Sequence, residues 1–168
     1  MSAKLLVAYA TRHGSTAEVA EAMGEILRQG DVEVEVRPVK DVLDISSYRA
    51  VIVGSAIRVG KWLPEAVQFV QTNQAVLSRL PVAYFVVCLT LREDTEENRR
   101  TVAAYSHPVR NIVQPVDVGL FAGAVDYKKF SLLLRLFMRL AKAPEGDFRK
   151  WDEIRAWAAS LRPKLLGT

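Results

Sequence analysis

Short apolar runs alternate with amphipathic segments along this chain, and that alternation limits the possible fold more than any other feature. Three of the runs are almost continuously apolar, as parallel strands covered on both faces are: residues 5–10, 50–54 and 82–88. Residues 32–36 instead alternate apolar and acidic side chains, which predicts a half-exposed edge strand. Helical spacing of apolar residues over 17–29, ended by Gly30, separates the first run from this edge strand.

The second half of the chain continues the same alternation. A helix is predicted to begin at Pro64, and a second helix is predicted over 92–113, where Pro108 must break or kink it. A fifth strand over 116–125, a cationic amphipathic stretch over 127–143 and a last helix over 151–161 follow. Five strands alternating with helices predict one parallel α/β sheet with right-handed crossovers, and an edge strand in second place fits the order 2-1-3-4-5. In that order a ligand site lies at the carboxyl ends of the first, third and fourth strands.

Composition and charge narrow the classes of function. With 168 residues, half of them hydrophobic, the chain has the size of a single domain, 1–168, without an internal repeat or a dividing linker. A net charge of +4 would suit a phosphate ligand, nucleic acid or an anionic membrane, and it is too small to choose among them. Cys88 is the only cysteine, so the sequence excludes an intramolecular disulfide and a multi-cysteine metal site. We expect no metal and no nucleic-acid partner.

The distribution of apolar residues predicts a cytoplasmic protein. The segment at 5–10 is too short for the core of a signal peptide, and no cleavage region follows it. No stretch reaches the roughly 20 apolar residues of a membrane span. A single cysteine agrees with a reducing compartment.

The turn between the first strand and the first helix is the strongest candidate for a binding site. It consists of Thr11, Arg12, His13, Gly14, Ser15 and Thr16. Backbone N–H groups and the positive end of the helix dipole favour an anion at such a turn. The hydroxyls of Thr11, Ser15 and Thr16 can donate to phosphate oxygens, and Gly14 lets the backbone come close. The turn lacks a Walker A lysine and a G-x-G-x-x-G pattern, which favours a terminal phosphate monoester.

An ordinary structural role for this turn is the alternative. Ser15 or Thr16 would then be only a helix cap, and Gly14 only a turn residue. The position of the turn, after the first strand of a five-strand α/β pattern, favours the phosphate site.

This turn, following an apolar first strand, resembles the FMN phosphate loop of the flavodoxin superfamily, and the resemblance extends through nearly the whole chain. Residues 54–62 resemble the second flavin loop of the branch that contains the menaquinone-dependent protoporphyrinogen IX dehydrogenases. Residues 121–127 with the basic stretch after them, and residues 146–151, are similar to that branch as well. The resemblance implies a flavodoxin-like three-layer sandwich.

The resemblance also implies one bound FMN at the carboxyl ends of the strands, with its phosphate in the turn from Thr11 to Thr16. One flavin face would be lined by Ser55, Ala56, Ile57, Arg58, Val59, Gly60 and Trp62. The other face would be lined by Cys88, Leu89, Thr90 and Leu91. The flavin would perform the redox chemistry and protein groups would position and tune it. FMN is expected rather than FAD because no pyrophosphate cradle is present.

Several of these residues have ordinary structural alternatives. Trp62 is either a ring that stacks on flavin or an apolar anchor at the start of a helix. Arg58 is either a solvated loop charge or a cation that stabilises reduced flavin or meets an anionic substrate, and we favour the second. Cys88 is more typical of core packing than of catalysis.

Three functions are compatible with this interpretation. The first is an FMN oxidoreductase similar to the dehydrogenase branch, which takes electrons from a porphyrinogen-like substrate and passes them to a quinone. The second is a flavodoxin-type electron carrier without a substrate of its own, and the third is a flavin-free signalling or scaffold domain. A carrier usually presents an acidic face, so the basic charge of this chain favours the enzyme. The phosphate turn argues against the third.

The insertion at 127–145 bears most directly on function. On one continuous helix its cations would form a single polar stripe: Lys128, Arg135, Arg139 and Lys142. No acidic residue lies between Asp126 and Glu145. Either the segment buries its leucines on the sheet, or it is an interfacial helix that enters a lipid boundary and meets anionic headgroups. The second alternative would hold the protein on the inner face of the cell membrane, near a lipid-dissolved quinone.

Overall fold

Strands and helices alternate along the chain, as the apolar pattern predicts. The structure is a computed structural model that describes residues 3–167. Its strands are β1 (Ala3–Ala10), β2 (Val32–Pro38), β3 (Ala50–Arg58), β4 (Lys61–Trp62), β5 (Val82–Val87), β6 (Asp117–Phe121), β7 (Ala124–Val125) and β8 (Gly146–Asp147). Its α-helices are α1 (Ser15–Leu27), α2 (Pro64–Thr72), α3 (Gln74–Leu77), α4 (Glu96–Ala104), α5 (His107–Ile112), α6 (Leu132–Leu140) and α7 (Trp151–Leu166).

Five parallel strands form the central sheet in the order β2-β1-β3-β5-β6, which is the predicted order 2-1-3-4-5 once the short β4 is left out of the count. β4 pairs antiparallel with the end of β3. Phe85 of β5 packs against Gly54 of β3, where a Cβ atom would lie 1.9 Å from its ring. The glycine that ends the predicted third strand is therefore needed for the approach of an aromatic ring.

Helices cover both faces of the sheet and make two separate cores. On one face α1 and α7 pack together, and their buried residues include Met23 and Ile154. On the other face α2, α4 and α5 cover the sheet with residues such as Phe69, Val102 and Val109. β1, β3 and β5 are apolar on both sides because they lie between these two layers. The flavodoxin-like three-layer sandwich is confirmed.

The predicted helix over 92–113 is two helices. Residues 89–92 form a 3₁₀ turn, α4 starts after Thr95, whose Oγ1 accepts from the Asn98 N–H at 3.1 Å, and α5 starts at His107. Pro108 lacks an N–H and its ring clashes with the carbonyl four residues earlier. That carbonyl belongs to Ala104, the last residue of α4, so the helix ends there.

The predicted fifth strand over 116–125 is also divided. β6 stops at Phe121, which pairs with Val87 at the end of β5, so the sheet offers no partner beyond that point. After Gly123 the chain leaves the sheet and β7 pairs antiparallel with β8. The Phe148 N–H donates to the Gly123 carbonyl at 3.1 Å and fixes this departure.

The segment between β7 and β8, residues 126–145, is called the arm below. It contains a 3₁₀ turn, Tyr127–Lys129, followed by α6. Tyr127 is buried at its base, where its N–H donates to Glu145 Oε2 at 2.7 Å and its hydroxyl donates to the Ala143 carbonyl. No residue of α6 is buried. The alternative in which the arm buries its leucines on the sheet is therefore wrong.

The single cationic stripe predicted for the arm is wrong as well. Lys128 belongs to the 3₁₀ turn and Lys142 follows the end of α6 with a positive φ of 53°. Arg135 turns inward, since its guanidinium donates to the carbonyls of Tyr127 at 3.0 Å, Lys128 at 3.3 Å and Phe130 at 3.4 Å. The helix is too short to align all the cations, and Arg135 instead ties the 3₁₀ turn to α6.

Candidate functional site

A cavity of about 410 Å³ opens at the carboxyl ends of β1, β3 and β5, which is where the predicted switch point lies. Its volume falls in the range of roughly 300–1,000 Å³ that is typical of small-molecule sites. Eight of the predicted site residues line it: Thr11, Arg12, His13, Ser15, Ala56, Ile57, Arg58 and Leu89. The structure thus brings the three predicted loops together around one space.

The phosphate turn is held open by its own backbone. Gly14 has a φ of 91°, a conformation that favours glycine, and its N–H donates to Thr11 Oγ1 at 3.0 Å. Gly14 is also the N-cap of α1, and no side chain caps the helix. The alternative in which Ser15 or Thr16 serves as the cap is therefore wrong. The first N–H groups of α1 and the Ser15 hydroxyl are left for a ligand.

Thr16 is a predicted site residue that does not line the cavity. The residue is fully buried in the first turn of α1, and its Oγ1 has no hydrogen-bond partner within the described residues. A buried hydroxyl without a partner costs folding free energy, and such groups are uncommon. A phosphate oxygen at the helix N-terminus would supply the missing bond, so the turn fits a phosphate monoester.

His13 lies among cations at the edge of the cavity. Burial lowers the pKa of its imidazole below the usual 6.5, and the charges of Arg58, Lys129 and Arg12 lower it further. Its ring makes an edge-to-face contact with Phe130, with centroids 4.6 Å apart. The ring therefore lies within a positively charged surrounding, which suits an anionic ligand.

Arg12 is engaged outside the cavity as well. Its guanidinium forms an ion pair with Glu65 in the first turn of α2, and the same contact lowers the pKa of the Glu65 carboxyl. This pair joins the phosphate turn to the helix that follows the second loop. Arg58 makes no such pair among the described residues and lines the cavity with an exposed side chain.

The second loop divides into lining and supporting residues. Ala56, Ile57 and Arg58 line the cavity, whereas Val59 and Gly60 form an exposed hairpin tip, both with positive φ. Ser55 is buried, and its Oγ donates to the Ala56 carbonyl at 2.7 Å and accepts from the Leu63 N–H at 2.9 Å. Its hydroxyl therefore shapes the loop.

Trp62 belongs to the core rather than to the cavity. Its indole Nε1 donates to Ser106 Oγ at 3.1 Å, and its ring makes an edge-to-face contact with Tyr84 at 5.4 Å. Of the two alternatives for Trp62, the structure supports the apolar anchor and not the ring that stacks on flavin.

Of the segment after β5, only Leu89 lines the cavity. Cys88 and Leu91 are buried in the core that α2 and α5 cover. The Thr90 carbonyl accepts from Asn98 Nδ2 at 3.3 Å, which ties the segment to α4.

The residues that sequence reasoning missed come from the end of the sheet, from the start of α2 and from the arm. They complete the lining of the cavity: Val87, Leu63, Gly123, Ala124, Val125, Phe130, Leu134 and Met138. Leu134 and Met138, one helical turn apart on α6, face the cavity and cover it. Gly123 is the sequence signal that could have predicted these residues. A strand that extends beyond its neighbour loses its pairing partner and must leave the sheet at the edge where the ligand site lies.

Arg149 is a further residue that the prediction did not include. Its guanidinium bonds Asp147 Oδ2 at 2.7 Å and the Ser15 carbonyl at 3.2 Å, and it stacks on the Trp151 ring at 4.6 Å. It also pairs with Glu18 of α1. The side chain is only 9% exposed, so it clamps the base of the arm to the first turn of α1.

Metal chemistry has no candidate in this region. Across residues 3–167, no three histidine, cysteine, aspartate or glutamate side chains come together in a way that could hold a metal ion. The donors around the cavity are hydroxyls, backbone N–H groups and cations, which suit an organic phosphate.

Comparison with known proteins agrees with this geometry. The family model described as "Flavodoxin domain" matches residues 6–152. A protein of Leishmania major named protoporphyrinogen IX dehydrogenase [quinone] is 31% identical, over 96% of this chain and 73% of its own length. A protein of the same name from Escherichia coli strain K12 is 23% identical, over 94% of each chain.

Solved structures share the fold at lower identity. A flavodoxin from the domain Archaea superposes with a TM-score of 0.59 at 19% identity, over 96% of this chain and 98% of its own. An NADH:FMN oxidoreductase in its apo form gives a TM-score of 0.61 at 14% identity, over 99% and 92%. The chain belongs to the flavodoxin-domain family, in the branch of the relatives named protoporphyrinogen IX dehydrogenase [quinone].

Proposed function

We propose that this protein is an FMN-dependent oxidoreductase that oxidises a porphyrinogen-like substrate and passes the electrons to a quinone. The observation that carries the proposal is the similarity to relatives of that name over 96% and 94% of the chain, so that the turn, both loops and the arm are all included. The cavity agrees with it, because Phe130, Leu134 and Met138 of the arm add apolar side chains to its lining.

The phosphate turn and the two loops would hold the cofactor. Ser15, Thr16 and the first N–H groups of α1 would bind the phosphate, with Thr11 oriented by its bond to Gly14. Ala56–Arg58 and Leu89 would lie on either side of the flavin ring. Bound FMN supplies the hydride and single-electron chemistry that no side chain in the cavity can perform. Arg58 would stabilise negative charge on the reduced ring.

The side chains that cover the cavity support the proposed substrate class. A porphyrinogen is a wide apolar ring system with carboxylate arms. Phe130, Leu134 and Met138 offer apolar contact on the arm side, and Arg58 offers a cation at the rim. The arrangement suits an amphipathic acid better than a compact polar substrate.

The outer side of the arm suits a lipid surface. Leu132, Leu133, Leu136, Phe137 and Leu140 are exposed, Leu133 to 80% and Phe137 to 65%. Exposed cations flank them at Lys128, Arg139 and Lys142. Such a helix would lie in the interface of an anionic membrane, with its opposite side on the cavity, where a quinone in the lipid is within reach. No helix within residues 3–167 is long and apolar enough to cross a bilayer.

A reconstitution experiment tests the enzymatic proposal. The protein is loaded with FMN, the released flavin is identified by mass, and porphyrin formation is followed with a water-soluble quinone as acceptor. Turnover that requires both FMN and quinone is expected. A protein that holds FMN and exchanges electrons with other proteins, yet leaves the porphyrinogen unoxidised, would be a flavodoxin-type carrier and the proposal would be wrong.

The double variant Thr11→Ala/Ser15→Ala tests the phosphate site, because it removes two of the hydroxyls that are proposed to lie there. Hydrogen bonds to a charged group contribute roughly 1.5–3 kcal/mol each, so FMN binding should weaken by a few kcal/mol. FAD as the released flavin, or unchanged FMN affinity, would contradict the assignment.

A further inference from the structure

Lys129 reaches from the arm onto the phosphate turn. Its Nζ donates to the His13 carbonyl at 3.2 Å, and a Cβ atom on Gly14 would lie 3.7 Å from the same Nζ. The ammonium group therefore lies directly over the residue that caps α1. A sequence separation of 116 residues divides the lysine from this turn, which is why sequence reasoning overlooked it.

This ammonium group has no acidic partner in the part of the chain that the structure describes. The nearby acids are engaged elsewhere, since Glu18 and Asp147 pair with Arg149 and Glu145 accepts from the Tyr127 N–H. Its partner is a single backbone carbonyl, and an ammonium has three donors. Two donors are free for an anion at the turn.

The position of Lys129 is fixed by the arm rather than by a flexible loop. It ends the 3₁₀ turn Tyr127–Lys129, in which the Lys128 N–H donates to Asp126 Oδ1 at 2.9 Å. Arg135 of α6 donates to the Tyr127 and Lys128 carbonyls of the same turn. The next residue, Phe130, packs on the His13 ring. Any movement of α6 would therefore move Lys129 and Phe130 relative to the phosphate turn.

We propose that Lys129 is a further cofactor-binding residue, whose ammonium group bonds the FMN phosphate and so couples cofactor loading to the position of the arm. The inference rests on the proposed function, because it takes FMN as the ligand. A phosphate dianion bound beside Thr16 neutralises the cation and gives it stronger hydrogen-bond acceptors than the His13 carbonyl. By thermodynamic reciprocity, an arm fixed in place strengthens FMN binding as much as FMN stabilises the arm.

The test compares Lys129→Gln with Lys128→Gln, a neighbouring lysine on the same 3₁₀ turn whose Nζ makes no bond to the phosphate turn among the described residues. Each variant is titrated with FMN and with riboflavin, which lacks the phosphate. Loss of one charge-assisted hydrogen bond predicts about tenfold weaker FMN binding for Lys129→Gln. Its riboflavin affinity and both affinities of Lys128→Gln should match wild type.

The coupling has a separate readout in limited trypsin digestion. Cleavage after Arg139, an exposed residue of α6, is followed by mass spectrometry with and without saturating FMN. FMN should slow this cleavage several-fold in wild type and in Lys128→Gln, and not in Lys129→Gln.

Two results separate this inference from the function on which it rests. Equal FMN affinity in wild type and Lys129→Gln, with full protection of the arm, would overturn the role of Lys129 and leave the FMN site intact. Absence of FMN binding by the wild-type protein would overturn the proposed function itself.

Discussion

At the scale of one residue, the hydroxyl of Thr16 allows a role in folding to be distinguished from a role in binding. A polar side chain that only stabilised the fold would have its hydrogen bond inside the protein, as the Ser55 hydroxyl does. Thr16 is equally buried and its Oγ1 has no partner in residues 3–167. The residue is expected to cost stability in the apoprotein and to contribute free energy only when phosphate is bound.

The variant Thr16→Val should therefore have effects of opposite sign on folding and binding. Valine keeps the shape and the β-branch, so the apoprotein should gain about 1 kcal/mol of unfolding free energy when the unpaired hydroxyl is removed. FMN binding should weaken about tenfold, since a hydrogen bond to a charged group is lost. Urea unfolding of the apoprotein and a flavin titration measure the two effects. A variant that loses stability and binds FMN normally would show Thr16 to be a structural residue.

His13 predicts a pH dependence whose sign follows from its surroundings. Burial and the three neighbouring cations lower its pKa from 6.5 in the folded apoprotein. The unfolded chain therefore binds more protons below pH 6.5, and His13 reduces the stability of the apoprotein as the pH falls below that value. At higher pH both states hold the neutral ring and the effect is absent.

A bound phosphate should raise the pKa of His13 because it offsets Arg58, Lys129 and Arg12. NMR titration of the imidazole, assigned with His13→Gln, measures this pKa with and without FMN. An unchanged value on FMN binding would place the phosphate away from His13.

At this scale the sequence predicts the polar turn well and its surroundings poorly. Thr11, Gly14, Ser15 and Thr16 lie within one six-residue stretch, 11–16, and share one backbone turn, so their proximity needs no tertiary information. Lys129 and Arg149 reach the same turn from beyond β6, and no local pattern specifies that contact. Trp62 was ambiguous because its indole needed a partner, Ser106, that only the packed α5 region supplies.

The arm is the element whose role can be tested by itself. Its apolar positions do not pack on the sheet, and its exposed cations lie at both ends of α6. Arg135 must be left intact in any such test because it holds the 3₁₀ turn to the helix.

Cosedimentation with anionic liposomes should respond to the outer side of α6. The triple variant Leu133→Ser/Leu136→Ser/Phe137→Ser should abolish binding. Neutralising Lys128, Arg139 and Lys142 should weaken it by about two orders of magnitude at low salt, at about 1 kcal/mol for each cation. The matched control neutralises Lys40, Arg79 and Arg100, which are exposed and lie outside the arm, and should bind as wild type does.

Two outcomes would contradict the membrane surface. One is a wild-type protein that stays in the supernatant at low salt. The other is a protein that forms dimers in sedimentation velocity, with dimers lost in the triple variant, because a second copy would then cover the apolar side.

Whether a segment is a helix or a strand was predictable where the spacing of its apolar residues was unambiguous. The residues at which the helices and strands begin and end were not. The helix over 92–113 divides because Pro108 removes a hydrogen bond and clashes one turn earlier, at the end of α4. α7 runs past Pro163 to Leu166, since Leu165 and Leu166 are buried against the sheet and hold the last turn in place. The first difference is the local effect of Pro108 that the sequence predicts, whereas the second arises from tertiary packing that outweighs the local preference at Pro163.

For the whole molecule, the strand order followed from a few strong constraints. Three strands apolar on both sides need helices on both faces, and right-handed crossovers then leave few arrangements. These constraints do not predict the conformation of the arm, because the arm lies outside the three layers. It pairs β7 with β8 beyond the sheet and makes one wall of the cavity, so that cofactor, substrate and lipid would meet around a single insertion.

One measurement tests the central claim most directly, namely that flavin in this cavity oxidises a porphyrinogen. Conversion of a porphyrinogen to a porphyrin releases six electrons and each FMN accepts two, so the FMN-loaded protein is used in at least threefold molar excess over protoporphyrinogen. The two are mixed without oxygen and the visible spectrum is recorded, then a quinone is added. The account predicts that the flavin band bleaches as the porphyrin spectrum appears, and that quinone restores the band. An oxidised flavin spectrum that persists beside unreacted porphyrinogen, in protein shown to hold one FMN, would contradict the account.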